Sequence, residues 1–253
     1  MNRLFSLVML MFISMVAFSQ NDESSVSADR PGMATGTDVM PFLKVQLETG
    51  FEVSSSGSTE ILLPTTMVRF GVTKFAELRL EYDGSLIQNY SKKWDYEVQP
   101  LTLGTKLTVF EGENWIPKIS FLANIAIPMK KQGAIQYEHV APSLYLLFQN
   151  DITDWFNIGY NVGAEWYGVS HVPSTFLAVC LGFSFCDNFG AFIESYNYFT
   201  RYGKKNTDVE CDLDFGLTYT VHPRVQLDLY GMFNCQNPKS FNGIGFGVAW
   251  LIN

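Results

Sequence analysis

Long apolar runs are scarce in this 253-residue chain. After the first segment, no stretch has the roughly 20 consecutive apolar residues that a membrane-crossing helix needs. Charge is also thin: 17% of residues are Asp, Glu, Lys or Arg, where about a quarter is usual for a soluble domain. The balance is acidic, with a net charge of −8 and no basic cluster, which argues against a nucleic-acid partner. Four cysteines are too few for a disulfide framework, and no Cys/His spacing fits zinc. Three histidines, His139, His171 and His222, make a poor inventory for acid–base work. A lipase-like site would need Ser, His and an orienting partner together on one wall. His139 and Ser143 are the only near pair, and no orienting residue accompanies them. Gly243-Ile244-Gly245-Phe246-Gly247 is not a nucleotide loop, because no helix can follow it. No catalytic, cofactor or metal residues are therefore expected, and the chain does not read as an enzyme.

What is present is aromatic content and alternation. Aromatic residues make up 15% of the chain. At the start, Arg3 precedes an apolar run from Leu4 to Val16 and then Ala17-Phe18-Ser19, with small residues placed for a cut before Gln20. Residues 1–19 read as an export signal too short to span a bilayer. Residues 20–42 are polar, Ser- and Asp-rich, and contain Pro31 and Pro41; they read as an N-terminal extension or luminal segment.

From Leu43 onward, apolar and polar residues alternate with period two. The segment Asp208 to Val221 is among the clearest. Val209, Cys211, Leu213, Phe215, Leu217 and Tyr219 share one face, and Asp208, Glu210, Asp212 and Asp214 share the other. A row of carboxylates cannot sit in a dry core, so this face needs water while the apolar row needs lipid or protein. Twelve such strands are expected, near 43–53, 60–72, 76–83, 98–109, 116–127, 140–150, 155–167, 175–185, 189–199, 208–220, 225–234 and 243–252. Alternate links between them are short, and aromatic residues gather near both sets of strand ends. Short periplasmic turns, longer outer loops and two aromatic belts are the outer-membrane pattern. The expected fold is all-β: a transmembrane antiparallel up-and-down barrel over residues 43–253, with outer-membrane lipid as its partner.

On this facing, Lys44, Glu48, Arg69, Arg79, Lys106, Glu165, Glu194, Asp208, Glu210, Asp212 and Asp214 line the lumen and are its selectivity candidates. They form either an ion-pair network that stiffens a narrow lumen, with Arg30 joining from the N-terminal segment, or an open acidic pore favouring cations. The link His222-Pro223-Arg224 makes Val221 face Val225. Counting outward then puts Cys211 opposite Cys235, near the outer mouth. Opposed residues there are near enough for a disulfide, and two unbridged thiols acting as small apolar residues remain the alternative.

Ala28-Asp29-Arg30-Pro31-Gly32 leads into a strand carrying Glu48-Thr49-Gly50, and Phe192-Ile193-Glu194 and the terminal Gly243-Ile244-Gly245-Phe246-Gly247-Val248-Ala249-Trp250 follow later. These elements resemble the MetA-pathway phenol-degradation (transporter) family of bacterial outer-membrane β-barrel proteins. Such barrels usually finish on an aromatic, whereas this sequence ends Leu251-Ile252-Asn253. The resemblance implies the bacterial outer membrane and a role in moving small molecules, aromatic or hydrophobic ones among them. The functional expectation is a porin-like channel for passive or facilitated passage of a small-molecule solute. The alternative is a non-conducting structural or surface-binding barrel. Substrate and oligomeric state stay open.

Overall fold

The computed structural model describes residues 24–55, 59–88, 92–129, 138–169, 171–203, 206–235 and 241–252. The expected export signal, 1–19, lies outside the described residues. Thirteen strands run in chain order: β1 (Val45–Ser55), β2 (Thr59–Thr73), β3 (Ala76–Gln88), β4 (Trp94–Val98), β5 (Leu101–Phe110), β6 (Lys118–Ile127), β7 (Ala141–Thr153), β8 (Phe156–Glu165), β9 (Ser174–Cys186), β10 (Phe189–Arg201), β11 (Thr207–His222), β12 (Val225–Asn234) and β13 (Phe241–Leu251). Every pairing is antiparallel, and β1 pairs with β13 from Gln46↔Leu251 to Ser54↔Gly243, which closes the sheet on itself.

The wall has twelve positions, because β4 and β5 share one. β5 pairs with the near half of β3 and β4 with its far half, Gly84 to Gln88. The break falls at Gln99-Pro100, where proline has no N–H to donate to a ladder; Gln99 N–H keeps the contact by donating to the Asp83 carbonyl at 3.1 Å. The sequence reading put a long loop at 84–97 and a single strand at 98–109. The structure corrects both, since Gly84–Gln88 and Trp94–Val98 pair as a hairpin that extends the wall outward. Pro64 sits where β2 slips register against β3, between Leu62 and Thr65, a bulge being the tolerated place for a strand proline.

The alternation sorts the two faces as lipid and lumen require. On β11, Leu213 and Phe215 are 42% and 46% exposed on the outside, while Asp214 between them is 2% exposed. The links at 74–75, 154–155, 187–188 and 223–224 lie at one end, as do the start of β1 and the end of β13. In outer-membrane barrels that short-turn end is periplasmic. Exposed Phe75, Trp115, Trp155 and Phe185 ring it. No helix among the described residues is long and apolar enough to cross a membrane.

Candidate functional site

Residues 24–44 contribute no strand, yet they are held as tightly as one. They enter at the short-turn end, where Val26 N–H donates to the Pro223 carbonyl at 2.7 Å. They return there, where Leu43 N–H donates to the Gly71 carbonyl at 2.8 Å, and β1 begins. Between these points the segment lies inside the barrel. A backbone without a ladder must satisfy its polar groups some other way, and lumen side chains do so. Asp29 and Arg30 N–H both donate to Glu48 on β1 at 3.1 Å. Met33 and Ala34 N–H donate to Glu194 on β10. Asn161 on β8 makes a reciprocal pair with the Thr35 backbone, at 2.7 and 3.1 Å. Ser120 on β6 donates to the Thr37 carbonyl at 2.6 Å, and Met40 N–H donates to Glu77 on β3 at 2.7 Å.

Charge fixes the same path. The Asp29 carboxylate takes Lys106 Nζ at 2.8 Å, Arg79 Nη1 at 3.0 Å and Arg69 Nη1 at 3.5 Å. Arg69, fully buried, also reaches Glu77 at 2.9 Å and Glu48 at 3.1 Å. Burial alone would raise the Asp29 carboxyl, but Arg69, Lys106 and Arg79 outweigh it and hold the group below the usual carboxylate range. Arg30 makes a two-pronged contact with Asp228 on β12, at 3.2 and 3.3 Å, and donates to Thr65 Oγ1 at 2.9 Å. Burial opposes the Arg30 charge, and Asp228 more than restores it. Lys118 holds the Asp38 carboxylate at 2.7 Å.

Glycine is needed where the segment crowds the wall. Gly32 has φ +97°, and a Cβ there would stand 2.9 Å from Glu194 Oε1. A Cβ on Gly50 or Gly247 would run into the Arg30 guanidinium. Gly247 on β13 and Gly50 on β1 thus make room for a side chain of the inserted segment.

The inserted segment separates two cavities of about 280 and about 270 Å³, both walled in part by Asp29, Arg30 and Thr35. The first lies on the outer side, against Glu52, Asp83 and Tyr230. The second lies toward the short turns, against Gln149, Asn157 and Gln226.

Of the lumen candidates, Glu48, Arg69, Arg79, Lys106 and Glu194 meet around the segment. Lys44 is buried at the foot of β1. Glu165 sits in the outer half beside the hydroxyls of Tyr145 and Tyr167. Asp208 and Glu210 are exposed at the outer end of β11, and Asp212 accepts from Asn234 and Asn242 at 3.0 and 3.3 Å. Asp214 is buried, with no hydrogen-bond partner at Oδ1. Cys211 and Cys235 are joined as a disulfide, with Cα atoms 5.3 Å apart. The expected Val221–Val225 pair is replaced by His222↔Val225, because a slip next to the turn absorbs one residue; from Thr220↔Gln226 outward the expected register holds. Ser143 pairs within the inward row that contains Asn124 and Glu165, away from lipid, and the His139 ring stacks on His171 at 4.7 Å. Among the described residues, no group of three His, Cys, Asp or Glu could hold a metal ion.

Sequence reasoning missed Asp29 as the hub of the network; its only signal was the Asp29-Arg30-Pro31 element ahead of the first strand. It also missed the apolar lumen residues Leu147, Phe176 and Phe192, all buried, because these break the alternation by which the lumen face was recognised.

The family model described as "Putative MetA-pathway of phenol degradation" matches residues 28–251. The chain belongs to this family. The match begins at the inserted segment and ends on β13, so the family's shared length includes the lumen segment as well as the wall. Among solved structures, the COG4313 outer membrane channel from Pseudomonas putida F1 is similar at TM-score 0.64 and 7% identity, over 85% of this chain and 97% of that one. The KdgM porin is similar at TM-score 0.51 and 10% identity, over 81% and 98%. At these identities the likeness is one of fold. No curated protein matches the chain significantly in sequence. The protein is a bacterial outer-membrane β-barrel.

Proposed function

We propose that this barrel is a channel for diffusive or facilitated passage of small solutes, not an enzyme, and that residues 24–44 set its narrowest point. The observation that carries the reading is the inserted segment with a polar cavity on either side of it. A constriction built from paired charges, with water-sized space above and below, is how a selective pore restricts flow without closing its wall. Inward-facing Tyr145, Phe176, Tyr196, Tyr198 and Tyr230 support aromatic solutes among those that pass, since such rings offer faces for stacking. The second reading is a non-conducting structural or surface-binding barrel, favoured by the ion pairs that hold the segment in place.

Planar-bilayer conductance decides between them. The intact protein should give small, discrete steps that prefer cations, and removal of residues 24–40 should enlarge the steps several-fold. Silence from both proteins would establish the structural reading.

A further inference from the structure

The outer cavity, of about 280 Å³, is unevenly charged. Its floor is the inserted segment, and its walls carry Glu52 from β1, Glu81 and Asp83 from β3, and Tyr230 from β12. Its two cationic side chains are both already paired. Arg30 is spent on Asp228, and Arg79 is shared between Asp29 at 3.0 Å and Glu81 at 3.2 Å. Among the described residues, Glu52 and Asp83 have no ion-pair partner. Glu52 accepts from the Tyr230 hydroxyl at 2.8 Å, and Asp83 from Thr66 N–H at 3.1 Å. A carboxylate can accept about four hydrogen bonds, so most of their capacity faces the cavity.

Two further observations point to a ligand. One row outward, beyond the cavity's own lining, Asp214 is 2% exposed, points into the lumen between Glu194 and Met232, and has no partner at Oδ1. At the floor, the Arg30 guanidinium lies 6.0 Å from the centre of the Tyr230 ring with Asp228 beside it. The chain's own organic cation thus already occupies a carboxylate-and-tyrosine corner of this cavity. The carboxylates are not grouped tightly enough for a metal ion, since no three acidic, His or Cys side chains among the described residues form such a set. A ligand with separated N–H donors suits two carboxylates set apart on β1 and β3, and the cavity has room for several waters.

We propose that this outer cavity is a binding subsite for a small protonated amine, held by Glu52 and Asp83 with Glu81 at its edge. The proposal rests on the channel reading, since a permeating solute must enter from the outer end. It names a solute class that the aromatic lining alone does not.

The test is calorimetric titration of the detergent-purified full-length barrel with 1,4-diaminobutane, beside 1,4-butanediol, succinate and calcium chloride. The diamine should bind, and the Glu52→Gln/Asp83→Asn double variant should lose about tenfold or more in affinity, the scale of charged hydrogen bonds removed. Heat-modifiable gel migration reports whether that variant folds. If it does not, Glu81→Gln, whose side chain is partly exposed, must weaken the diamine instead. Butanediol or succinate binding as well as the diamine, tighter binding of calcium, or an unchanged affinity in the folded variants would each overturn the subsite. Bilayer conductance separates the two readings. A barrel that binds diamine but passes no current ends the channel reading alone, and one that conducts without binding diamine ends the subsite alone.

Discussion

The two halves of the lumen use the same residue types in opposite ways. In the half near the short turns, Arg69, Arg79 and Lys106 surround Asp29, Glu48 and Glu77, and Arg30 faces Asp228, so nearly every charge meets its opposite. In the outer half, Glu52, Asp83, Asp212 and Asp214 stand without a cationic partner among the described residues, amid tyrosines. The first half is built to hold a segment of its own chain. The second, on the proposed channel reading, meets a solute. The inward period-two face is shared by both, so its charge content alone does not distinguish holding from receiving.

The largest contrast should come from neutralising one acid in each half. Asp29→Asn leaves three buried cations facing a neutral amide, and breaking such a network costs about 3 kcal/mol. Asp214→Asn removes an unpaired buried charge and should leave stability unchanged or improved. Urea unfolding in lipid vesicles measures both, and equal losses would erase the distinction between the halves.

A second contrast runs through the wall. Phe215→Lys puts a charge into lipid near the bilayer midplane and should cost about 2–4 kcal/mol, whereas Asp214→Lys, one residue away but inside, should be much milder. Similar costs would contradict the facing of β11.

The smallest effect expected is one of pH. The Asp29 carboxyl is held below its unfolded value, near 3.9. Its contribution is therefore complete above that value and is lost only as pH falls through the lower folded one. Arg30 is shifted upward, so its share is lost only as pH rises through a value above the ordinary arginine range. As pH falls from 6 to 5 the stability gap between intact protein and Asp29→Asn should not narrow. A gap that narrows by pH 5 would show that the basic cluster does not hold Asp29 ionised.

Most of the wall was legible because lipid outside and water inside impose alternation on each strand, and the parity of link lengths orients the whole. Leu213, Asp214 and Phe215 are a case in which three adjacent letters place themselves. The β4–β5 break was half legible: Pro100 marked it, but whether residues 84–97 leave the wall or extend it depends on pairing with β3, which no local pattern encodes. The lumen segment was the least legible. Residues 24–44 follow no period, because their contacts go to nine of the barrel's strands in an order set by a path through space. Arg30 could be foreseen as joining an ion pair, since a lone base near many inward acids finds one. That Asp29 would gather three bases could not, because those bases are 40 to 77 residues away along the chain.

Both ends of the inserted segment lie at the same end of the barrel, joined to Pro223 and to Gly71. Topologically it is a finger and not a thread. Within residues 24–44 the chain turns back on itself, so withdrawing that loop through the opening by which it entered requires no break in the pairing of β1 with β2 and β13. A pull on that loop at Val26 loads the Val26–Pro223 hydrogen bond first, then the contacts of Ser27 with Gln46 and Arg69, and only then those of Asp29 and Arg30.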